Sequence, residues 1–180
     1  MSTTEAIFLG VIEGLTEFLP ISSSGHLIVV REWLGIPLFG GLAFDAAIQG
    51  AATLAIVVYF WRDLWLYARA LSEPRSVRFT EVLYLIIATI PAVVAGVLIE
   101  PYLESSLRNA YVVSITLLVG SFIMVLGELA YKSSLREAPL TLVRAVLIGI
   151  FQTLALLPGM SRSGMVMVGG MVSGLSREQA

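Results

Sequence analysis

Side chains suited to acid–base and phosphate chemistry are concentrated in one stretch near the start of the chain, EGLTEFLPISSSGH at residues 13–26. The stretch contains two carboxylates, three serine hydroxyls and the only histidine of the sequence, within apolar surroundings. Glu13 and Glu17 are four residues apart, so on a helix they lie on one face, where their like charges repel each other. We therefore expect a cationic group to meet them.

A second polar stretch supplies a candidate cation. The segment PGMSRSG at residues 158–164 places Arg162 between two serines and is flanked by apolar runs. A guanidinium is permanently charged, and its planar fork of donors matches phosphate oxygens. We predict that the two stretches meet and hold a phosphorylated ligand.

The composition indicates an integral membrane protein. Hydrophobic residues make up 57% of the 180 residues and charged residues only 13%, with a mean hydropathy of +0.90, far outside the soluble range. The net charge of -2 offers no basic surface for nucleic acid, so nucleic acid is excluded as a partner. The lack of cysteine excludes disulfides and thiolate metal sites, and one histidine leaves little for a zinc centre.

Three stretches are apolar and long enough to cross a bilayer, which takes about 20 residues: residues 41–61, 82–99 and 110–131. The connection at 62–80 carries four arginines, which predicts a cytoplasmic location by the positive-inside rule. The connection at 100–109 is then expected on the outer side.

Two further segments share a plan of helix, Pro and Ser/Gly break, and short helix. In the first, residues 6–19 precede Pro20 and a short helix beginning near His26; in the second, residues 140–157 precede one beginning near Met165. Interrupted segments are tolerated at membrane depth only where they are buried in protein or line a wet cavity. We expect both to be re-entrant.

A shift of 139 residues aligns the two interrupted segments, placing Ser22 on Ser161, Gly25 on Gly164 and Glu13 on Gln152. The pattern predicts an internal repeat. Because three spans separate the two copies, their interrupted segments are expected to enter the membrane from opposite faces. Inverted repeats of this kind build binding sites from the ends of half-helices.

A single transmembrane domain over 1–180 is therefore predicted. The first repeat covers about 1–139 and the second begins at about 140. The second copy has barely begun at residue 180, so we expect a truncated repeat with up to three helices beyond it.

The start of each short helix offers unpaired N–H groups and the positive end of a dipole, which together suit an anion. Glu13 and Glu17 would repel phosphate directly, so a divalent cation, Mg²⁺ or Ca²⁺, is expected between carboxylate and phosphate. His26 can donate a proton, accept one or attack phosphorus. The predicted ligand-binding residues are Ser22, Ser24, Gly25, Ser161, Arg162, Ser163 and Gly164.

Structural roles compete with these assignments. Serine is an ordinary helix N-cap, so capping is at least as good an interpretation of Ser22 and Ser24 as catalysis. Asp45 and Gln49, one turn apart, are more typical of structural polar contacts than of a site. Four glycines at four-residue spacing are predicted to allow close helix packing: Gly10, Gly14, Gly170 and Gly174.

EGLTEFLPISSSGH and PGMSRSG resemble the two motifs of the undecaprenyl-diphosphate phosphatases of bacterial membranes, the bacitracin-resistance phosphatases. FDAAIQ at 44–49, TIPAVVAG at 89–96 and GLSREQA at 174–180 are similar to further segments of that family. The resemblance implies an all-α, polytopic membrane bundle with inverted-topology repeats and two re-entrant helix–break–helix segments. It also implies removal of the terminal phosphate of undecaprenyl diphosphate, so that the lipid carrier is reused for cell-wall synthesis.

The resemblance places the family's motif carboxylates on Glu13 and Glu17, its serine on Ser23, its histidine on His26 and its arginine on Arg162. It implies dependence on a divalent cation and a site open to the outer face of the bacterial cytoplasmic (inner) membrane.

One position departs from the family pattern. Val166 stands where the second motif usually continues with threonine, so a threonine contribution to phosphate binding is not carried over.

The resulting hypothesis is phosphoanhydride hydrolysis. Arg162 and the two helix ends hold the diphosphate, Glu17 with Glu13 positions the cation, and the attacking group is His26, Ser23 or a water activated by Glu17. The expected partners are undecaprenyl diphosphate and the lipid bilayer, with a homodimer as a further candidate.

Three alternatives remain. An inverted-repeat transporter or lipid flippase could use Glu13 and Glu17 for proton or ion coupling. A phosphatidic-acid-type phosphatase would use two histidines, whereas the sequence has one. A non-catalytic remnant is the third.

Overall fold

A computed structural model of the chain describes residues 1–36, 41–133 and 138–180, with side chains at all of these except 41–42, 100–106 and 132–133. Every regular element in these ranges is an α-helix, which confirms the predicted all-α class. The described helices are α1 Thr3–Thr16, α2 Ser23–Leu34, α3 Gly41–Tyr59, α4 Trp61–Ala70, α5 Val77–Ser106, α6 Ala110–Ser133, α7 Leu142–Leu154 and α8 Arg162–Val172.

Two helices are long and apolar enough to cross a membrane by themselves, at Val77–Ile99 within α5 and Ala110–Tyr131 within α6. Most of their large apolar side chains face outward, as lipid-facing side chains do. These helices correspond to the second and third predicted spans. The predicted connection at 100–109 is wrong in part, because α5 remains helical to Ser106.

The first predicted span, 41–61, corresponds to α3, which ends at Tyr59. The helix Ala43–Tyr59 is followed at once by α4, and the two axes differ in direction by 76°. Part of the predicted connection at 62–80 is thus helical. Its sequence explains this, because Trp61, Leu64 and Trp65 recur at helical spacing on one face with charged residues elsewhere.

Both interrupted segments are present, but their short helices begin three residues earlier than predicted. α2 begins at Ser23 rather than near His26, and α8 begins at Arg162 rather than near Met165. The reason is capping: the hydroxyl of the residue before each helix, Ser22 or Ser161, accepts from the backbone N–H three residues on. The serines and glycines that follow form the first helical turn instead of a loop.

The helix starts of the two interrupted segments differ by the offset that aligns their sequences. α7 starts 139 residues after α1, and α8 starts 139 residues after α2. Each short helix is followed by a glycine with positive φ, Gly35 at 65° and Gly174 at 94°. The left-handed conformation at these ends favours glycine and turns the chain out of the helix.

Two buried clusters hold the helices together. One joins α1, α2 and α3 through Leu9, Leu27 and Ile36, with Phe44 packed against them. The other joins α5, α7 and the segment after α8 through Ala88, Ile148 and Leu175. α7 thus packs against both α5 and α8.

Close packing at glycine occurs mostly at positions that the sequence did not suggest. A β-carbon on Gly149 would lie 2.5 Å from the carbonyl oxygen of Ala88, and one on Gly169 would lie 2.9 Å from Cβ of Phe151. Within the described ranges no atom of another element lies within 4 Å of a β-carbon added to Gly10 or Gly14, so the packing prediction is wrong for both.

The other two predicted glycines differ from each other. A β-carbon on Gly170 would meet Ala180, at 2.6 Å from its Cβ, whereas the nearest neighbour of one on Gly174 is Ala138 at 3.8 Å. Gly170 therefore supports close packing, although against the following segment rather than a neighbouring helix. Gly174 serves the turn after α8.

Candidate active site

The first helix break, residues 17–22 between α1 and α2, lies close to the second, residues 155–161 between α7 and α8. The two breaks and the helix starts that follow them are in direct contact. A β-carbon on Gly25 would lie 3.0 Å from Cα of Gly159, and one on Gly164 would lie 3.2 Å from the carbonyl oxygen of Pro20. A side chain at either glycine would force the backbones apart. The two stretches therefore meet, in agreement with the expectation from the sequence.

Helix α6 supports this contact from the side. Thr116 donates its hydroxyl hydrogen bond to the carbonyl oxygen of Pro158, and Leu117 and Met124 lie against Gly25 and Gly164. A cavity of about 40 Å³ is lined by residues of both breaks and of α6. A long straight helix thus fixes both interrupted segments.

The carboxylates differ in their surroundings. Glu13 is only 2% exposed, and its Oε2 has no hydrogen-bond partner in the described ranges. Glu17 is half-buried at the C-cap of α1, and it accepts a hydrogen bond from Oγ of buried Ser23. A carboxylate that holds a serine hydroxyl is placed to take its proton.

Ser22 and His26 form the next contacts of the first break. Nδ1 of His26 lies 2.8 Å from the carbonyl oxygen of Ser22. A carbonyl oxygen only accepts, so Nδ1 carries the hydrogen and the neutral ring keeps its lone pair on Nε2. Ser22 has a φ of 67°, the only positive value at a non-glycine residue among those described. This conformation is costly for serine and is typical of functional sites.

The structure shows which serines cap the two short helices. Ser22 and Ser161 cap α2 and α8, by accepting from the backbone N–H groups of Gly25 and Gly164. Ser24 is half-buried inside the first turn, and the described ranges contain no hydrogen bond of its hydroxyl. Ser24 is therefore not the cap.

The second break presents its polar groups outward. Arg162 and Ser163 are exposed in the first turn of α8, and Oγ of Ser163 lies 3.2 Å from Oγ of Ser161. Within the described part of the chain, the Arg162 guanidinium makes no hydrogen bond or ion pair, including with Glu13 or Glu17. The expected pairing of this cation with the carboxylates is thus not observed, and its donors remain available to an anion.

The donor set fits a shared divalent cation. Among the described residues no group of three or more Asp, Glu, His or Cys side chains is close enough to enclose a metal ion. Magnesium commonly takes one or two carboxylates and completes its shell with waters and substrate phosphates. Glu13, with one buried oxygen lacking a partner, and Glu17 match that arrangement.

The family model described as bacitracin resistance protein BacA matches residues 6–180. The chain belongs to this family.

Similar proteins named undecaprenyl-diphosphatase come from several bacteria. The protein of Caldicellulosiruptor bescii is 40% identical over 100% of this chain and 68% of its own length. That of Alteromonas mediterranea is 39% identical over 99% and 68%, and that of Ectopseudomonas mendocina is 44% identical over 98% and 64%. The chain thus spans about two thirds of the length of these relatives.

The sequence analysis missed one buried ionic contact of this family member. Arg31 of α2 is 1% exposed, donates to Oδ1 of Asp45 at 2.6 Å and lies over the ring of Phe44. Asp45 is therefore a structural contact, as expected, whereas the side chain of exposed Gln49 makes no hydrogen bond in the described ranges. The sequence signal for this contact is the arginine inside the apolar run HLIVVREWL, because a charged side chain within a membrane segment normally has a partner.

The position that departs from the family motif lies away from the break. Val166 packs against the cluster of Ala88, Ala145 and Ile148 between α5 and α7. The valine is thus accommodated as a core residue.

Proposed function

We propose that the chain hydrolyses the phosphoanhydride bond of undecaprenyl diphosphate, giving undecaprenyl phosphate and inorganic phosphate. Membership of the BacA family and the names of its relatives support the reaction. The observation that carries the proposal is the contact of the two breaks, because it brings two helix N-termini together in a membrane protein. No finding supports the transporter or flippase alternative.

Substrate binding is assigned to the second break and to both helix starts. The guanidinium of Arg162 and the free N–H groups of the first turns of α2 and α8 hold the diphosphate. Glu13 and Glu17 would hold Mg²⁺ or Ca²⁺, which offsets phosphate charge when bound.

The contact between Ser23 and Glu17 favours the serine as the attacking group. Glu17 takes the hydroxyl proton while Oγ forms a bond to the terminal phosphorus. The bond to the bridging oxygen breaks, and undecaprenyl phosphate leaves with the electron pair. Water then attacks the phosphoserine while Nε2 of His26 accepts its proton. The P–Oγ bond breaks, Glu17 returns its proton to Oγ, and inorganic phosphate leaves.

The competing routes begin with attack by Nε2 of His26 or by a water activated by Glu17. Rapid quenching with substrate labelled in the terminal phosphate separates them, because only covalent routes leave label on the protein. Acid-stable label at Ser23 is expected. Acid-labile label on His26 would contradict the serine route. So would the absence of label on the protein when the quench is fast enough to trap a covalent intermediate.

Phosphate release in detergent tests the reaction itself. Purified protein is expected to release phosphate from undecaprenyl diphosphate without any ion gradient, and a chelator is expected to stop it reversibly.

Arg162→Ala should lower the rate of phosphate release by at least about 100-fold, the cost of losing a donor to transition-state charge. Folded Arg162→Ala protein with the wild-type rate would overturn the site assignment.

A location in the bacterial cytoplasmic (inner) membrane, with the site open to the outer face, is part of the proposal. The described helices support a multi-span membrane protein. Homodimer formation stays a prediction.

A further inference from the structure

A separate polar cavity of about 720 Å³ lies between α4 and the start of α5. Its lining residues include Tyr67, Arg69, Glu73, Arg78 and Glu81, and none belongs to either helix break. The volume is in the range of pockets that bind small molecules. The proposed phosphatase reaction does not use this cavity.

The cavity lies beside a helix suited to the membrane surface. α4 turns by 76° away from the preceding apolar helix. Trp61, Leu64 and Trp65 are exposed on one face, and the two indole rings stack with centroids 6.0 Å apart. An amphipathic helix with tryptophan on its apolar face lies at the level of lipid headgroups.

The charged side chains around the cavity are not paired with one another. Arg69 and Arg78 are exposed and form no ion pair within the described ranges, and neither do Glu73 and Glu81. Tyr67 lies beside Glu81. Two guanidiniums and two carboxylates thus face one open volume, which suits a ligand carrying both a negative and a positive group.

We propose that this cavity binds the headgroup of phosphatidylethanolamine. Arg69 and Arg78 hold the phosphodiester, and the first-turn N–H groups of α5 lie on the same side, since Ser76 and Val77 also line the cavity. The ammonium group donates to Glu73 and Glu81. Choline has no N–H group, and phosphatidylglycerol has no cation, so neither satisfies both pairs of side chains.

Native mass spectrometry of the purified chain, titrated with lipids of matched acyl chains, tests the assignment. Phosphatidylethanolamine is expected to bind on the order of tenfold more tightly than phosphatidylcholine or phosphatidylglycerol, because only its headgroup offers both an anionic phosphodiester and a cation that donates N–H hydrogen bonds. Arg69→Gln with Arg78→Gln should reduce that binding by a similar factor. Arg62→Gln with Arg75→Gln removes the same charge outside the cavity lining and should leave it unchanged.

The carboxylates receive a separate test. Glu73→Gln with Glu81→Gln should remove the preference for phosphatidylethanolamine over phosphatidylcholine while retaining phosphodiester binding. Equal affinity of wild-type protein for the three lipids, tighter binding of phosphatidylglycerol, or equal effects of the two arginine pairs would overturn the proposal. Because these variants lie away from both breaks, phosphate release should persist, which separates this result from a failure of the phosphatase assignment.

Discussion

The serines of the first break show how three adjacent identical side chains take different positions. Ser22 caps α2, Ser23 donates to Glu17, and Ser24 lies in the first turn. The sequence predicted that this cluster lies at a helix break. It could not predict which serine is the cap, because each of the three could stand directly before the first residue of a helix. The observed cap depends on the strained backbone of Ser22.

Ser23→Ala removes the side-chain hydroxyl and so tests whether Ser23 is the attacking group. Loss of the attacking hydroxyl is expected to lower the rate of phosphate release by roughly 100-fold or more. Steady-state phosphate release in detergent provides the measurement. Ser114→Ala is the control, because in the described part of the chain the Ser114 hydroxyl bonds only to the carbonyl of Ala110 in its own helix. Equal rates for the two variants would exclude Ser23 as the nucleophile.

At the scale of elements, the order of helices was largely predictable, but their mutual contacts were not. The apolar runs predicted the helices, whereas the partner of Arg31 lies on another helix, fourteen positions along the chain. Similarly, no local pattern indicates that Gly25 meets Gly159. Contacts between distant segments depend on the packing of the whole bundle, and periodicity describes only one helix at a time.

Asp45→Asn is expected to destabilise the contact between α2 and α3. It leaves the buried guanidinium of Arg31 without an ionic partner, at a cost of roughly 3 kcal/mol. Denaturant unfolding in detergent would show a lower midpoint. The double variant Arg31→Met with Asp45→Leu should recover most of the stability, since apolar residues replace a buried ion pair at little cost. A double variant no better than Asp45→Asn would contradict this explanation.

Gly25→Ala should separate the two breaks. The added methyl group would lie 3.0 Å from Cα of Gly159, and overpacking of this kind costs roughly 1–3 kcal/mol. Both the unfolding midpoint and the rate of phosphate release should fall. Gly10→Ala is the matched control: its methyl group would meet nothing within 4 Å, and removing a helical glycine should stabilise α1 by roughly 0.5–1 kcal/mol. Equal stability of the two variants would argue against a tight contact at Gly25.

At the scale of the whole molecule, composition was sufficient to predict a helical membrane protein. It was insufficient to predict the 76° bend between α3 and α4, because the apolar run continues through Tyr59, Phe60 and Trp61 without proline or glycine. Across the bend the chain passes from a mostly apolar helix, α3, to one with charged residues on one face.

Depth-dependent quenching tests this placement of α4 in the bilayer. In a Trp33→Phe background, the remaining fluorescence comes from Trp61 and Trp65. Lipids brominated near the headgroup should quench it more than lipids brominated near the chain ends, because interfacial tryptophans lie at headgroup level. Stronger quenching by the deep label would place α4 within the hydrocarbon core.

The buried pair between Arg31 and Asp45 also constrains biosynthesis. An isolated arginine at the centre of a membrane helix costs about 2.5–3.5 kcal/mol during insertion by the translocon. When Arg31 leaves the ribosome, its carboxylate partner is still inside the exit tunnel, since it comes fourteen residues later. The α2 segment should therefore remain at the aqueous boundary until α3 follows, so that the two helices enter the lipid together.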